Sequence, residues 1–296
     1  MTIDIHSHVP THRDRVPEDE MIVNTKWRPD RAVAATTTWA DYEEAFACVE
    51  ISVAFTIARD RTRVDRELND NVADFVAAAS TRRIGFLSVH PEVAGAEEEL
   101  ERCREELGLK GVKLGPNYQI FDPLGEPALR IYALAERHGL PIVFHQGASP
   151  VREAPLRYAH PLLMDEIATR FPELRIVMAH MGHPWQRDTI VTIRKHPHVY
   201  ADVSALFYRP WSFYEGMRLA TEWGALDKLL FGSDFPIATP QETIDGLRRV
   251  NDPIAGTALP PVPLDAIEEL IARDPLPLLG LERPRQASSS RARVQR

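Results

Sequence analysis

Two histidines two residues apart, His6 and His8, close the run TIDIHSH near the start of the chain. Further along, single chemistry-capable residues stand at the ends of short apolar runs. They are Lys113 in KGVKLGPN, His145 in LPIVFHQG, His180 in LRIVMAHMGH and Asp234 in KLLFGSDFP. The imidazoles of His6, His8 and His145 with the Asp234 carboxylate make a nitrogen–oxygen donor set. Such a set suits one divalent ion, Zn²⁺ ahead of Mn²⁺ or Fe²⁺, with water or substrate completing the coordination. An H-x-H pair alone is accidental or structural more often than not, and a lone strand-end histidine is more often a core residue. What carries weight is the joint placement of four donors at the ends of strand-like runs.

Those runs belong to a regular alternation. TIDIHSH, ISVAFTI, RIGFLSVHP, KGVKLGPN, LPIVFHQG, LRIVMAHMGH, HVYADVSA and KLLFGSDFP read as strands, each followed by a segment with helical spacing. Thr37 or Thr38 is the expected cap of the first helix, Asn69 or Asp70 the start of the second, and Gly139 the stop of a later one. Eight strand–helix units predict an α/β fold, a distorted (β/α)8 TIM barrel with a polar, proline-containing insertion over 9–36 after strand 1. A doubly wound sheet fits less well, because no glycine-rich fingerprint follows the first strand. In a barrel the C-terminal strand ends meet on one face, which would gather His6, His8, Lys113, His145, His180 and Asp234. Strict alternation puts Asp4, His6 and His8 inward and Ile3 and Ile5 towards the helices. It also turns Lys113 inward and sets Ile176, Met178 and His180 on one face. His90 precedes Pro91 and reads as a turn residue; His12, His138, His160, His196 and His198 read as surface.

Composition narrows the function classes. The 296 residues are 44% hydrophobic and 26% charged, with a formal net charge of −8. An acidic chain without a basic stripe is a poor partner for nucleic acid or an anionic membrane. Cys48 and Cys103 form no CxxC pair, so neither a disulfide framework nor a thiolate zinc site is indicated. No signal-like segment or long apolar run is present, and a cytoplasmic location is expected. Residues 1–285 read as one domain and 286–296 as a disordered tail. A small molecule is the expected partner, with a homodimer or higher homo-oligomer as the alternative to a monomer.

With these motifs the chain resembles the amidohydrolase-related branch of the amidohydrolase superfamily, metal-dependent TIM-barrel hydrolases and decarboxylases. IDIHSH, GVKL, PIVFHQG, IVMAHMGH and LLFGSDFP carry the resemblance, across residues 2–236. It implies that His6, His8, His145 and Asp234 hold one metal ion and that His180 contacts the bound water or the substrate. It further implies that Asp234 serves as base and that Lys113 is an uncarboxylated substrate-contacting or structural group. Chemically, a divalent ion lowers the pKa of bound water towards about 7 while a carboxylate accepts the released proton.

Hydrolysis of a small ester, lactone or amide is therefore expected, on a substrate that carries carboxylates. Lys113, Tyr118, Arg152, Arg157, Tyr208 and Arg209 are the candidate substrate-binding groups in the mouth. Non-oxidative decarboxylation of an aromatic or unsaturated carboxylic acid is the alternative, with the HQGAS run leaning towards hydrolysis. A barrel that uses the metal only for stability is a third reading, and an open coordination position would count against it.

Overall fold

The computed structural model describes residues 2–10, 26–34 and 36–284. Much of the expected insertion, His12 and the tail 286–296 lie outside the described residues. Eight parallel strands follow one another: β1 (Ile3–His8), β2 (Ile51–Phe55), β3 (Arg83–Gly85), β4 (Val112–Leu114), β5 (Ile142–Phe144), β6 (Ile176–Met178), β7 (Val199–Asp202) and β8 (Leu229–Leu230). They pair as an arc of three, β1-β2-β3, and an arc of five, β4-β5-β6-β7-β8. Parallel bridges Leu87↔Val112 and Ser7↔Phe235 join the arcs. Across the second seam His8 N–H donates to Phe235 O at 2.9 Å and Asp234 N–H to His6 O at 2.8 Å. The ring is closed, and the (β/α)8 barrel expected from the alternation is the fold.

Local chemistry sets the element ends. Thr38 caps the helix Trp39–Ala45 in a reciprocal box with Asp41. The next helix, Arg66–Ala77, starts earlier than the sequence suggested, because Asp65 rather than Asn69 or Asp70 caps it. Asn69 is instead buried, donating to Ser88 O at 3.1 Å and to Glu99 at 2.9 Å. Helix Glu126–His138 ends at Gly139, whose φ of 66° is the left-handed stop that glycine supplies. No helix among the described residues is long and apolar enough to cross a membrane.

Two apolar layers separate the strand faces. Val112, Leu114, Ile142, Phe144, Ile176 and Met178 pack outward into the core shared with the helices. Ile51, Val53, Phe55, Val143, Val177 and Leu230 fill the barrel interior, joined by Leu276 and Leu279 from beyond the last helix. Lys113, between Val112 and Leu114, is therefore inward, as its neighbours' polarity predicted.

Strand β1 departs from its expected alternation. Ile3 and Ile5 belong to the interior cluster, not to the helix-facing one. Register gives the reason. Asp4 pairs with Ser52 and Ser7 with Ala54, so β1 carries one residue more than β2 over that span. This bulge reverses the parity of the strand. Below it the isoleucines fill the barrel; above it Ser7 turns outward to Tyr42, at 2.8 Å, and His6 and His8 turn inward. Asp4 serves the bulge, accepting N–H groups from His6 at 3.0 Å and from Ser233 at 3.2 Å.

Close packing at the seam leaves no room beside His6. A Cβ built on Gly232 would lie 2.8 Å from His6 Cβ. Gly232→Ala is expected to cost about 1–3 kcal/mol, the usual penalty of overpacking. Urea denaturation of the two proteins checks this, and a loss under about 0.5 kcal/mol would show that the seam yields.

Candidate metal centre

Asp202, the last residue of β7, organises the upper barrel. It is fully buried and accepts His6 Nδ1–H at 2.8 Å. It also accepts the backbone N–H of His180 at 2.9 Å, the N–H of Ser204 at 3.1 Å and the Ser204 hydroxyl. Burial works to raise its pKa, but the His6 imidazole and these donors outweigh burial and hold the carboxyl well below the usual carboxylate range. Ser204 Oγ in turn takes His180 Nδ1–H at 2.8 Å. One carboxylate thus fixes the Nδ1 protons of two imidazoles, directly for His6 and through Ser204 for His180. That turns the Nε2 lone pair of each ring away from Asp202, the arrangement that orients an imidazole, although His6 Nε2 has Lys113 Nζ at 3.3 Å.

Those lone pairs converge. One donor atom each from His6, His180 and Asp234 lies within 4.8 Å of the others. Asp234 Oδ1 is 3.2 Å from His6 Nε2 and 3.2 Å from His8 Nε2. The His145 ring is 5.1 Å from that of His180, and its buried Nε2 has no hydrogen-bond partner among the described residues. An orphaned imidazole nitrogen in a closed site is costly unless something ligates it. Burial and Lys113 pull the His6 pKa down, but Asp202 and Asp234 win and raise it. Burial lowers the pKa of His8, of His145 and of His180, the last to about 4, so these rings are neutral near pH 7. Burial works to raise the Asp234 pKa too, yet His180, His6 and His8 keep that carboxyl ionised. Neutral imidazoles around a carboxylate fit a divalent ion.

Backbone conformation aims two of these side chains. Strand alternation would put His180 on the outward face of Ile176 and Met178. It points inward because His180 and Met181 adopt left-handed φ values of 58° and 47°. Asp234 is also left-handed, at 65°. Non-glycine residues take this region at a cost of about 1–2 kcal/mol each, so the surrounding structure has to hold them there. Gly147, after His145, has φ 96°, and a Cβ on it would lie 2.2 Å from His183 O. Only glycine lets the β5 loop pass so close to the β6 loop.

A cavity of about 940 Å³ opens above this cluster. Lys113, Tyr118, Tyr208 and Arg209 border it, as do His8, His145, His180 and Asp234. Lys113 is buried with Nζ 3.3 Å from His6 Nε2 and 4.4 Å from the centre of the Phe55 ring; burial lowers its pKa to about 8. Tyr118 packs edge-on to His145 at 4.6 Å. Arg152 and Arg157 are exposed and do not border the cavity; Arg157 lies over the Tyr158 ring. The reason is local: both belong to the turn around the short helix Leu156–Ala159, which shows only Val151 and Ala154 to the Tyr118 side. His90 is buried away from the cavity against Gln119 O, at 2.7 Å.

Sequence reasoning missed Asp202, Ser204, Arg59 and His183. Asp202 ends a strand, so the strand-end rule that found His145 would have found it too. Arg59 and His183 border the cavity but lie in loops beyond their strands, where the rule has no reach. His183 stands inside a run already singled out, and burial lowers its pKa to about 4.

Residues 3–269 match the family model described as amidohydrolase. Among similar solved structures, a probable 2-pyrone-4,6-dicarboxylic acid hydrolase from Acinetobacter baumannii with citric acid bound is 15% identical at a TM-score of 0.64, over 95% of this chain and 99% of that one. A dihydroxybenzoic acid decarboxylase from a Polaromonas species, with manganese and the inhibitor 2-nitroresorcinol, is 17% identical at 0.63, over 94% and 96%. An amidohydrolase from Burkholderia multivorans with bound zinc is 13% identical at 0.64, over 95% and 100%. At these identities the likeness is one of fold.

Asp202→Asn keeps the shape but presents an amide to His6 Nδ1–H and Ser204. Metal affinity is expected to fall about 10–100-fold, the usual effect of losing a group that orients a ligand. Chelator competition on wild type and variant reads this, and equal affinities would remove Asp202 from the centre.

Proposed function

The chain belongs to the amidohydrolase family, and from that premise we propose that it is a metal-dependent hydrolase of a small, carboxylate-bearing ester, lactone or amide. The observation that carries the reading is the Asp234 carboxylate, held ionised at 3.2 Å from both His6 and His8 on the floor of the cavity. In this reading His6, His8, His145 and Asp234 hold one divalent ion, Zn²⁺ ahead of Mn²⁺. His180 stands beside them with its Nε2 turned to the reacting group. Such an ion lowers the pKa of a water it binds and polarises a carbonyl.

The chain's own residues supply the rest. Asp234, ionised near neutral pH, accepts a proton from the attacking water and passes it on to the leaving group, which restores the carboxylate. His180, neutral near pH 7, aligns that water through Nε2 while Ser204 keeps its ring from turning. Lys113 presents a buried cation to developing negative charge. Arg59 and Arg209 border the cavity further out and suit the substrate carboxylates, a task for which Arg152 and Arg157 are misplaced.

A panel of aryl esters, lactones and hydroxybenzoates, assayed on one metal-analysed preparation for acid release and for CO₂, tests the reading. Ester or lactone cleavage that disappears with a chelator and returns with Zn²⁺ or Mn²⁺ is expected. CO₂ from a carboxylate with the esters untouched would replace hydrolysis by non-oxidative decarboxylation at the same residues. Asp234→Asn should keep much of its metal, since an amide oxygen still coordinates, yet lose at least about 10²-fold in turnover because an amide accepts no proton. Paired metal content and kinetics decide, and near-normal turnover would leave the base elsewhere.

A further inference from the structure

The described part of the segment after β1, Lys26–Ala34, lies across the cavity as a strap. Its fastening is unusually complete for a loop. The Arg28 guanidinium is buried, its side chain 2% exposed. It grips Asp30 through Nε at 2.9 Å and Nη2 at 2.6 Å, and Nη1 reaches Ile237 O and Glu242 Oε1, each at 3.2 Å. Its plane lies over the Tyr208 ring at 4.6 Å and near Phe207 at 5.2 Å. Arg31 adds a second grip on Glu242 at 3.0 Å, and Arg209 donates to Trp27 O at 3.1 Å. Asp30 is the strap's own residue, which shapes the turn; the anchors outside the strap are Ile237, Glu242 and Arg209. Ile237 donates its N–H to Asp234 O at 2.8 Å, and Glu242 is fixed in the capping box of helix Pro240–Arg248.

The side chain held out by this fastening is Trp27. It is half-buried and packs with the Tyr118, Val151 and Ala154 cluster. Its ring centre is 6.4 Å from that of Tyr118, which is 4.6 Å from that of His145. An aromatic wall thus runs from the metal centre to the strap, and the indole closes its far end. A planar substituent that leaves the centre along Tyr118 meets Trp27.

We propose that Trp27 is a specificity-determining residue, setting how long a planar substrate group the cavity accepts, and that Arg28 is the positioning residue that keeps it there. The inference rests on the cavity being the substrate site. Trp27→Ala removes the end of the wall and should favour longer rings. Arg28→Ala releases the strap and should do the same through Trp27. Once the indole is gone, losing Arg28 has nothing further to release, so the two changes are not additive.

The test measures dissociation constants of benzoate and 2-naphthoate by titration calorimetry on the metal-loaded protein. Wild type, Trp27→Phe, Trp27→Ala, Arg28→Ala and the double variant are compared, with turnover on the ester panel in parallel. The preference for 2-naphthoate over benzoate should rise about tenfold in Trp27→Ala, within the range a pocket wall can impose. It should rise less in Trp27→Phe, and the double variant should match Trp27→Ala. A preference within twofold of wild type in Trp27→Ala overturns the role of Trp27. A wild-type preference in Arg28→Ala, or a double variant that exceeds Trp27→Ala by the Arg28→Ala effect, overturns that of Arg28. If Arg28→Ala does not fold, the two Trp27 variants still decide the specificity claim. Wild-type turnover with an unchanged preference sinks this inference alone; a changed preference without turnover on any ester sinks the hydrolase reading alone.

Discussion

The contact on which the upper barrel depends is the hydrogen bond from His6 Nδ1–H to the Asp202 carboxylate, 2.8 Å long and sealed from solvent. A buried carboxylate is costly unless several donors satisfy it, and Asp202 has four. Those donors come from β1, the turn after β6 and the turn after β7. Satisfying one charge therefore fixes the mutual positions of the ends of β1, β6 and β7, across β8, which lies between β7 and β1 in the ring. The same bonds decide which nitrogen of each imidazole faces the centre. Structural economy and ligand orientation are here a single requirement.

Charge balance follows. Inside the cluster, ionised Asp202 and Asp234 oppose one buried ammonium, that of Lys113. With the other three rings neutral, the site is short of positive charge. A proton on His6 or a divalent cation supplies it, and the upward push on the His6 pKa expresses the first of these. A chelate of imidazoles and carboxylate can only form where that proton is displaced, so proton and metal compete for one position.

The site was legible because five of the eight strand-like runs end in a residue that can do chemistry, and the barrel brings those ends together. His6, His8, His145, Lys113 and Asp234 were singled out on that basis. What was not legible is where backbone geometry overrides alternation. IDIHSH alternates without a break, so nothing in it signals the extra residue that turns Ile5 and His6 to the same side. The barrel floor needs isoleucine bulk and the rim needs imidazoles, and only a bulge lets one strand provide both. His180 gives the same lesson: its direction comes from a left-handed turn rather than from strand parity. Asp65 capped where Asn69 was expected because Asn69 is consumed by a buried pairing across two other elements. Arg152 and Arg157 share their composition with true mouth residues, and only the path of the turn separates them.

The two seams of the barrel shape the order in which it can be made. His6 and Asp202 are 196 residues apart, and Asp4 and Ser233 are 229 apart. During synthesis the three-strand arc leaves the ribosome long before β8 does, so the outer edge of β1 waits without its pairing partner. Its edge amides and two imidazoles face a half-built interior through that interval, the exposed condition of an unpaired edge strand. The β3–β4 seam is local, between Leu87 and Val112, but the β8–β1 seam closes a loop of great length, which slows folding. An ion that touches both arcs would then act after the search is over, as a rivet placed in a finished joint.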